Sequence, residues 1–205
     1  MDRNKSPSQG EYALKKLIDR TTMYRLVLYY LVALFAAAVF FGTIGIMPYS
    51  PGALLWSAGV LIAVSWAANT FFARIFRAVT NTESVYITAF ILVLIMSPVV
   101  FTDISGSMTL AGVAVCAMAS KYILAIGKKH VFNPVAFAVV LSALLLNVPA
   151  TWWVAGNTTL LPFVVIGGLI VVHKLRRFDL VLAFAITALT VVAFTARDPI
   201  GGLGA

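Results

Sequence analysis

Residues 24–46 read YRLVLYYLVALFAAAVFFGTIGI, an apolar run in which Arg25 is the only charged residue. A helix needs about 20 mostly apolar residues to cross a bilayer, at about 1.5 Å of rise per residue, so this run is long enough. It is too long for the apolar core of a signal peptide, and residues 1–20 before it are polar and charged. The run therefore predicts a transmembrane helix.

The composition of the whole chain has the same character. Hydrophobic residues make up 61% of the 205 residues, charged residues make up 11%, and the mean hydropathy is +0.99. Soluble domains contain roughly 45–50% apolar and about 25% charged residues, and a water-soluble fold could not bury so much apolar surface. The net charge of +8 does not indicate nucleic-acid binding, because the basic residues occur in short clusters between apolar runs.

Six further apolar runs follow the first, separated by connections rich in Pro, Gly and Asn. We therefore predict an all-α integral membrane protein with about seven transmembrane helices in the lipid bilayer. The predicted spans are residues 24–46, 53–72, 84–101, 108–126, 132–148, 159–173 and 179–196.

The two ends of the chain differ from the spans. Residues 1–22 are predicted to be a cytoplasmic segment, and residues 23–205 the transmembrane domain. Within the first segment, residues 11–22 (EYALKKLIDRTT) are amphipathic, which favours a helix lying on the membrane surface, with a disordered tail as the alternative. The chain ends in a loop-like stretch from Arg197 without a closing helix, which indicates a fragment of a longer protein.

Lysine and arginine predict the direction of the spans. All of them except Arg197 lie in the N-terminal segment or at alternate connections, near Arg74, Lys121 and Lys174. Connections on the opposite side, such as residues 102–107, carry none. Because cytoplasmic loops are enriched in Lys and Arg, we predict a cytoplasmic N-terminus and an external C-terminus.

Two polar stretches at the starts of spans are candidate binding sites. The first, TNTESVYITA at residues 80–89, combines capping residues with Glu83, which complements the positive end of a helix. Capping alone explains this pattern. Alternatively, the helix begins inside the bilayer, and its free N–H groups and the Thr88 hydroxyl line a ligand site. Ser97-Pro98 ends the same span early, which fits a short helix.

The second stretch runs from Lys121 to the pair Asn133-Pro134. Lys121 lies near the end of an apolar run, where it either snorkels to the inner surface or acts at a site. Asn133 before a proline is ordinary helix capping, yet its amide also offers a donor and an acceptor suited to the edge of a heterocycle. His130 has no His or Cys partner at ligand spacing, so a metal or haem site is not indicated.

The remaining conspicuous residues have ordinary explanations. Trp152 and Trp153 lie in an external loop and are typical interfacial anchors, with an aromatic wall beside a ligand as the alternative. Cys116 is the only cysteine, which excludes an intrachain disulfide and an iron–sulfur cluster ligated by this chain alone. We recognise no nucleophile paired with a base and no phosphate-binding glycine loop, so no catalytic residue is predicted.

Three elements, in this order, resemble a known family: residues 83–98 (ESVYITAFILVLIMSP), 119–121 (ASK) and 130–134 (HVFNP). They are similar to the membrane flavoprotein family whose members serve in the sodium-pumping NADH:quinone reductase and in the Rnf complex. The likeness runs from about residue 22 to the end. It is strongest to single-chain bacterial forms, in which the membrane part precedes a soluble FAD- and NAD-binding reductase domain.

The resemblance implies a ten-helix bundle of two inverted repeats in the bacterial inner (plasma) membrane, of which this chain holds about seven helices. It implies a non-covalent flavin, riboflavin or FMN, near Asn133, with FAD and NAD(P)H in a cytoplasmic partner domain. The family's covalent FMN is not expected, because the external loop at residues 147–159 lacks the Ser-Gly-Ala-Thr-like motif. The candidate cofactor-binding residues are Glu83, Thr88, Lys121, His130, Phe132 and Asn133.

Three functions remain open. The first is a membrane module that passes electrons through a flavin from a cytoplasmic NAD(P)H reductase to a quinone or an extracytoplasmic acceptor, as a monomer or a homo-oligomer. The second is a transporter or channel for a small solute or flavin, since broken helices that meet near mid-membrane are a common transporter plan. The third is an anchor for a reductase. Unchanged flavin content and electron transfer after alanine substitution at Asn133 and Thr88 would favour this third function.

Overall fold

The computed structural model describes residues 22–126, 129–130 and 132–195. The predicted surface helix therefore lies, except for its last residue, outside the described residues. Seven helices and one pair of short strands are present in the described part of the chain. They are α1 (Met23–Thr43), α2 (Pro51–Ile75), α3 (Thr82–Ile95), α4 (Ile104–Ile123), β1 (Ala125–Ile126), β2 (Lys129–His130), α5 (Pro134–Leu146), α6 (Leu161–Leu175) and α7 (Phe178–Thr195).

Three of these helices, α1, α2 and α4, are long and apolar enough to cross a membrane, and the other four are shorter apolar helices. The predicted seven helices are thus confirmed, and the architecture is the one expected of a membrane protein. The largest difference from the predicted boundaries is at the third span, which stops at Ile95 instead of residue 101. The fourth span stops at Ile123 instead of residue 126. β1 follows, and Ala125 pairs with His130 in an antiparallel hairpin that the sequence did not predict.

Helix starts follow local capping chemistry. The Ser50 side chain accepts a hydrogen bond from the Ala53 N–H at 3.2 Å, and Pro51 occupies the first turn of α2, where its missing N–H costs nothing. The Asp103 carboxylate accepts from the Gly106 N–H at 2.8 Å at the start of α4. These caps are readable in the sequence because both partners lie within one helical turn.

Helix α3 is too short to cross the bilayer. Its 14 residues span about 21 Å, against a hydrocarbon core of about 30 Å. At its start, the Asn81 side chain accepts hydrogen bonds from the N–H groups of Glu83, at 3.0 Å, and Ser84, at 3.4 Å. Beyond its end, the Ser57 hydroxyl on α2 accepts from the Val99 N–H at 2.8 Å and donates to the Val99 carbonyl at 3.3 Å. The N–H and carbonyl groups of Val99, in the backbone after the helix, therefore also have hydrogen-bond partners.

The carbonyl end of α3 is satisfied by the loop before α6. The Ile95 carbonyl accepts from the Thr151 N–H at 2.9 Å and the Trp152 N–H at 3.1 Å. The Trp153 indole Nε1–H donates to the Val93 carbonyl at 3.0 Å. Trp153 is 7% exposed, whereas Trp152 is 56% exposed. The tryptophans are therefore not a matched pair of interfacial anchors, because one of them caps a helix inside the protein.

The apolar core lies between α2, α3 and α4. Its fully buried members include Leu54, Leu61, Leu92 and Met118, and small residues such as Ala114 allow α2 and α4 to pack closely. Helix α7 packs against α6 and leaves large apolar side chains exposed along its length. Such surface is stable only in contact with lipid or further apolar helices.

The contact between α1 and α6 depends on one glycine. Gly167 lies against the ring of Tyr30, whose hydroxyl donates to the Val164 carbonyl at 3.2 Å, and a Cβ at position 167 would overlap that ring. We expect Gly167→Ala to lower the free energy of unfolding by about 1–3 kcal/mol, because the ring must move and lose its hydrogen bond. Thermal denaturation in detergent measures this effect.

The neighbouring glycine provides the control. A Cβ at Gly168 meets no atom within 4 Å, so Gly168→Ala should be neutral or stabilise the helix by up to about 1 kcal/mol. Equal effects of the two substitutions would contradict this packing.

Candidate functional site

Two cavities lie at the end of the bundle where α1, α3 and α5 begin and α2 and α4 finish. The first, which we name the cationic cavity, has a volume of about 530 Å³ and is lined by residues that include Asn69, Arg77, Asn81, Ser84, Lys121 and Tyr122. The second, which we name the apolar cavity, has a volume of about 360 Å³ and is lined by residues that include Tyr24, Ile87, Thr88, Ile91, Phe132 and Asn133.

Ser84 lines both cavities and connects their polar groups. Its carbonyl accepts from the Thr88 hydroxyl at 2.8 Å and from Lys121 Nζ at 3.0 Å. Lys121 Nζ also lies 3.3 Å from the Ser84 hydroxyl. Thr88 on α3 and Lys121 on α4 are thereby joined through one backbone oxygen. Sequence reasoning took Ser84 only as a capping residue and missed this role.

Lys121 does not snorkel. Only 7% of it is exposed, and its ammonium group lies against α3. One or two hydrogen bonds to charged groups are worth about 1.5–3 kcal/mol each, which offsets part of the cost of burying the charge. Lys121 lines the cationic cavity and is not among the residues that line the apolar cavity. Lys121 is therefore separated from Thr88, Phe132 and Asn133, which line the neighbouring apolar cavity.

Glu83 lines neither cavity. Its carboxylate accepts from Arg25 Nε at 2.8 Å, with the two side chains 31% and 59% exposed. This ion pair joins the starts of α1 and α3. Because the pair is exposed, it contributes only about 0–1 kcal/mol to stability.

Asn133, Phe132 and His130 belong to the connection before α5. The Asn133 side-chain oxygen accepts from the N–H groups of Val135, at 3.0 Å, and Ala136, at 3.4 Å. Capping therefore uses the oxygen and leaves the amide nitrogen as the group suited to a ligand. Phe132 lines the apolar cavity beside Asn133. The side chain of His130 lies outside the described residues.

The capped starts of α3 and α5 change the reason for expecting a ligand. One of the two interpretations of the first stretch expected free backbone N–H groups at the start of α3, but asparagine side chains accept hydrogen bonds from N–H groups at the starts of both helices. The ligand-binding capacity lies instead in the side chains that line the cavities. Among the described residues, no group of three His, Cys, Asp or Glu residues could hold a metal ion.

Comparison with known proteins gives no match. No family model fits the chain, and no curated protein and no solved structure is significantly similar to it. The family resemblance therefore depends on the three sequence elements alone, and the site must be judged by its own geometry.

The apolar cavity is an open groove whose volume falls within the range of small-molecule pockets. Such pockets typically enclose about 300–1,000 Å³, with apolar walls and a few polar groups that fix orientation. Here Ile87, Ile91 and Phe132 provide apolar surface, and Thr88 and Asn133 provide polar groups.

Proposed function

We propose that this chain is the membrane module of a flavin-dependent transmembrane electron-transfer protein that binds riboflavin or FMN non-covalently. The observation that carries the proposal is the apolar cavity, in which Thr88, Phe132 and Asn133 come together from α3 and the start of α5. The sequence alone marks all three as candidate flavin residues. Their convergence on one cavity of suitable size supports the proposal.

In this proposal, each residue has a limited role. A bound flavin supplies the redox chemistry, and the protein fixes its position and environment. The Asn133 amide nitrogen donates a hydrogen bond to an acceptor on the ring edge. Phe132 and Ile91 contact the ring and exclude water. Lys121, held at Ser84, contributes positive charge close to the cavity, which stabilises added electrons.

The wider arrangement follows from the distribution of charge. Arg25, Arg74, Arg77 and Lys121 all lie at the end of the bundle that holds both cavities. The family resemblance implies a bacterial inner membrane, and by the enrichment of basic residues in cytoplasmic loops that end of the bundle is cytoplasmic. An FAD-containing NAD(P)H reductase would deliver electrons there, and a quinone or an extracytoplasmic acceptor would remove them. We further propose that the chain belongs to a ten-helix bundle of two inverted repeats.

Transport is the weaker alternative. A solute that crossed the membrane from these cavities would have to pass the buried cluster that includes Leu61, Leu92 and Met118. In this conformation the cluster is closely packed, which favours a site that holds a cofactor at one end over a path through the bundle.

The test is the flavin content and affinity of the detergent-purified protein. We expect a visible flavin absorption spectrum, either as purified or after adding riboflavin or FMN, and release of intact flavin on denaturation, identified by mass. Thr88→Val should weaken flavin binding by about 3- to 10-fold, because it removes a hydroxyl from the cavity wall and keeps the side-chain shape.

Thr109→Val is the matched control. The Thr109 hydroxyl also donates to a carbonyl four residues earlier, at 3.0 Å, but Thr109 lines neither cavity. Flavin affinity should be unchanged in this variant. A protein that binds no flavin under any of these conditions would end the proposal.

A further inference from the structure

The proposed flavin site uses only the charge of Lys121 from the cationic cavity and leaves the rest of its lining without a role. Two basic side chains, Arg77 and Lys121, line it, and none of its described lining residues carries a carboxylate. Asn69, Asn81 and Ser84 add neutral hydrogen-bonding groups to the same wall. A cavity with this combination of charge and donors attracts an anion with several oxygen atoms.

The cavity wall is held rigidly. The Tyr122 ring is stacked between Phe72, at a centroid distance of 6.0 Å, and Phe76, at 5.9 Å. Its hydroxyl donates to the Asn69 side-chain oxygen at 2.8 Å. Lys121, the next residue before Tyr122, is anchored to Ser84. Since these groups are already ordered, a ligand would not have to pay the entropy of ordering them.

A further basic residue lies at this end of α2. Arg74, in the last turn of α2, lies one turn before Arg77. Clustered positive charge of this kind raises the local concentration of anions.

We propose that the cationic cavity binds a phosphate group, through Arg77 and Lys121 together with the neighbouring amide and hydroxyl groups. Arginine matches phosphate oxygens with its planar fork of donors, and lysine adds a point charge. The phosphate can belong to a water-soluble phosphate compound from the cytoplasm or to the headgroup of an anionic phospholipid in the inner leaflet. The site adjoins the apolar cavity, with which it shares Ser84, and the phosphate proposal does not require a bound flavin.

The experiment measures thermal stability and binding of the full chain. In a neutral detergent, the protein is titrated with inorganic phosphate, pyrophosphate or AMP, with sodium chloride at matched ionic strength. In parallel, its stability is compared in phosphatidylcholine nanodiscs and in nanodiscs with added phosphatidylglycerol. We expect one of the two arms to raise the melting temperature by several degrees, and that arm identifies the source of the phosphate.

Three variants locate the site. Arg77→Asn and Lys121→Gln should each weaken binding of the stabilising phosphate ligand by about tenfold, as expected for the loss of one charged hydrogen-bonding group. Asparagine suits position 77 because its φ of 47° is left-handed. Arg74→Gln is the matched control, because it removes the same charge from the same end of α2 and Arg74 does not line the cavity. It should weaken binding less than twofold.

Two results would overturn the proposal. One is the absence of stabilisation in both arms. The other is an equal loss of binding in Arg74→Gln and Arg77→Asn, which would indicate general surface charge. If Lys121→Gln fails to fold, the comparison of Arg74→Gln with Arg77→Asn still tests whether the cavity binds phosphate. Flavin content is measured in the same samples. Absence of phosphate binding in a protein that still binds flavin would contradict only the phosphate proposal.

Discussion

Replacing Trp153 with alanine is expected to lower the free energy of unfolding by about 3–5 kcal/mol. The substitution leaves a cavity where a buried indole packs edge-to-face on Tyr49, with ring centroids 5.5 Å apart. It also removes the donor to the Val93 carbonyl, near the end of a helix too short to cross the bilayer. Unpaired carbonyls are costly there because no water replaces the donor. Thermal or denaturant unfolding in detergent measures the loss.

Two further substitutions divide this effect into its parts. Trp153→Phe keeps most of the ring and removes the N–H, so it should cost about 1–3 kcal/mol. Trp152→Ala should cost less than about 0.5 kcal/mol, because the Trp152 side chain is exposed. The hydrogen bond from Trp152 to Ile95 is donated by the backbone N–H, which alanine keeps. If both tryptophans were interfacial anchors, the two alanine variants would lose similar stability, and that result would contradict the role assigned to Trp153.

Replacing Asn133 with serine is expected to weaken flavin binding by about 10- to 100-fold and to leave the stability of the fold nearly unchanged. Serine is as good an N-cap as asparagine, so the start of α5 keeps an acceptor for the N–H groups of Val135 and Ala136. The lost group is the amide nitrogen at the apolar cavity. Titration with riboflavin and FMN, followed by flavin fluorescence, measures the affinity.

The loop before α6 offers a matched control for this prediction. Asn157 also caps its own turn, accepting from the N–H groups of Thr159 at 2.9 Å and Leu160 at 3.2 Å, and it lines neither cavity. Asn157→Ser should therefore leave flavin affinity unchanged. Asn133→Ala should lose both affinity and about 1 kcal/mol of stability. Full affinity in Asn133→Ser would show that the amide does not contact the flavin.

Several features of the fold follow from the sequence alone. Apolar length predicted seven helices, and Asn133-Pro134 predicted the start of α5. Ser97-Pro98 correctly indicated that the third span ends early, although its boundary was placed too late. Each of these features depends on residues within one or two turns of one another, or on the hydrophobicity of a continuous run. Such information is complete in a local stretch of sequence.

Part of the candidate site was also accessible in this way. Thr88 and Asn133 were singled out because polar residues at helix starts in an apolar chain require an explanation, whereas Phe132 was a candidate only through the family resemblance. All three line one cavity. Glu83 was singled out for the same reason but pairs with Arg25, 58 residues earlier. The local pattern could not distinguish a carboxylate that binds a ligand from one that joins two helices.

Only the tertiary structure decided the contacts between helices. Lys121 binds Ser84 across α4 and α3, Trp153 caps α3 from a distant loop, and Ser57 holds the backbone at Val99. In a soluble protein, an apolar stripe shows which face of each helix is buried. Here the lipid-facing and core-facing sides are both apolar, so the sequence carries little record of which helices meet. The sequence therefore determined the helices and their caps, and the packing of those helices determined the two cavities.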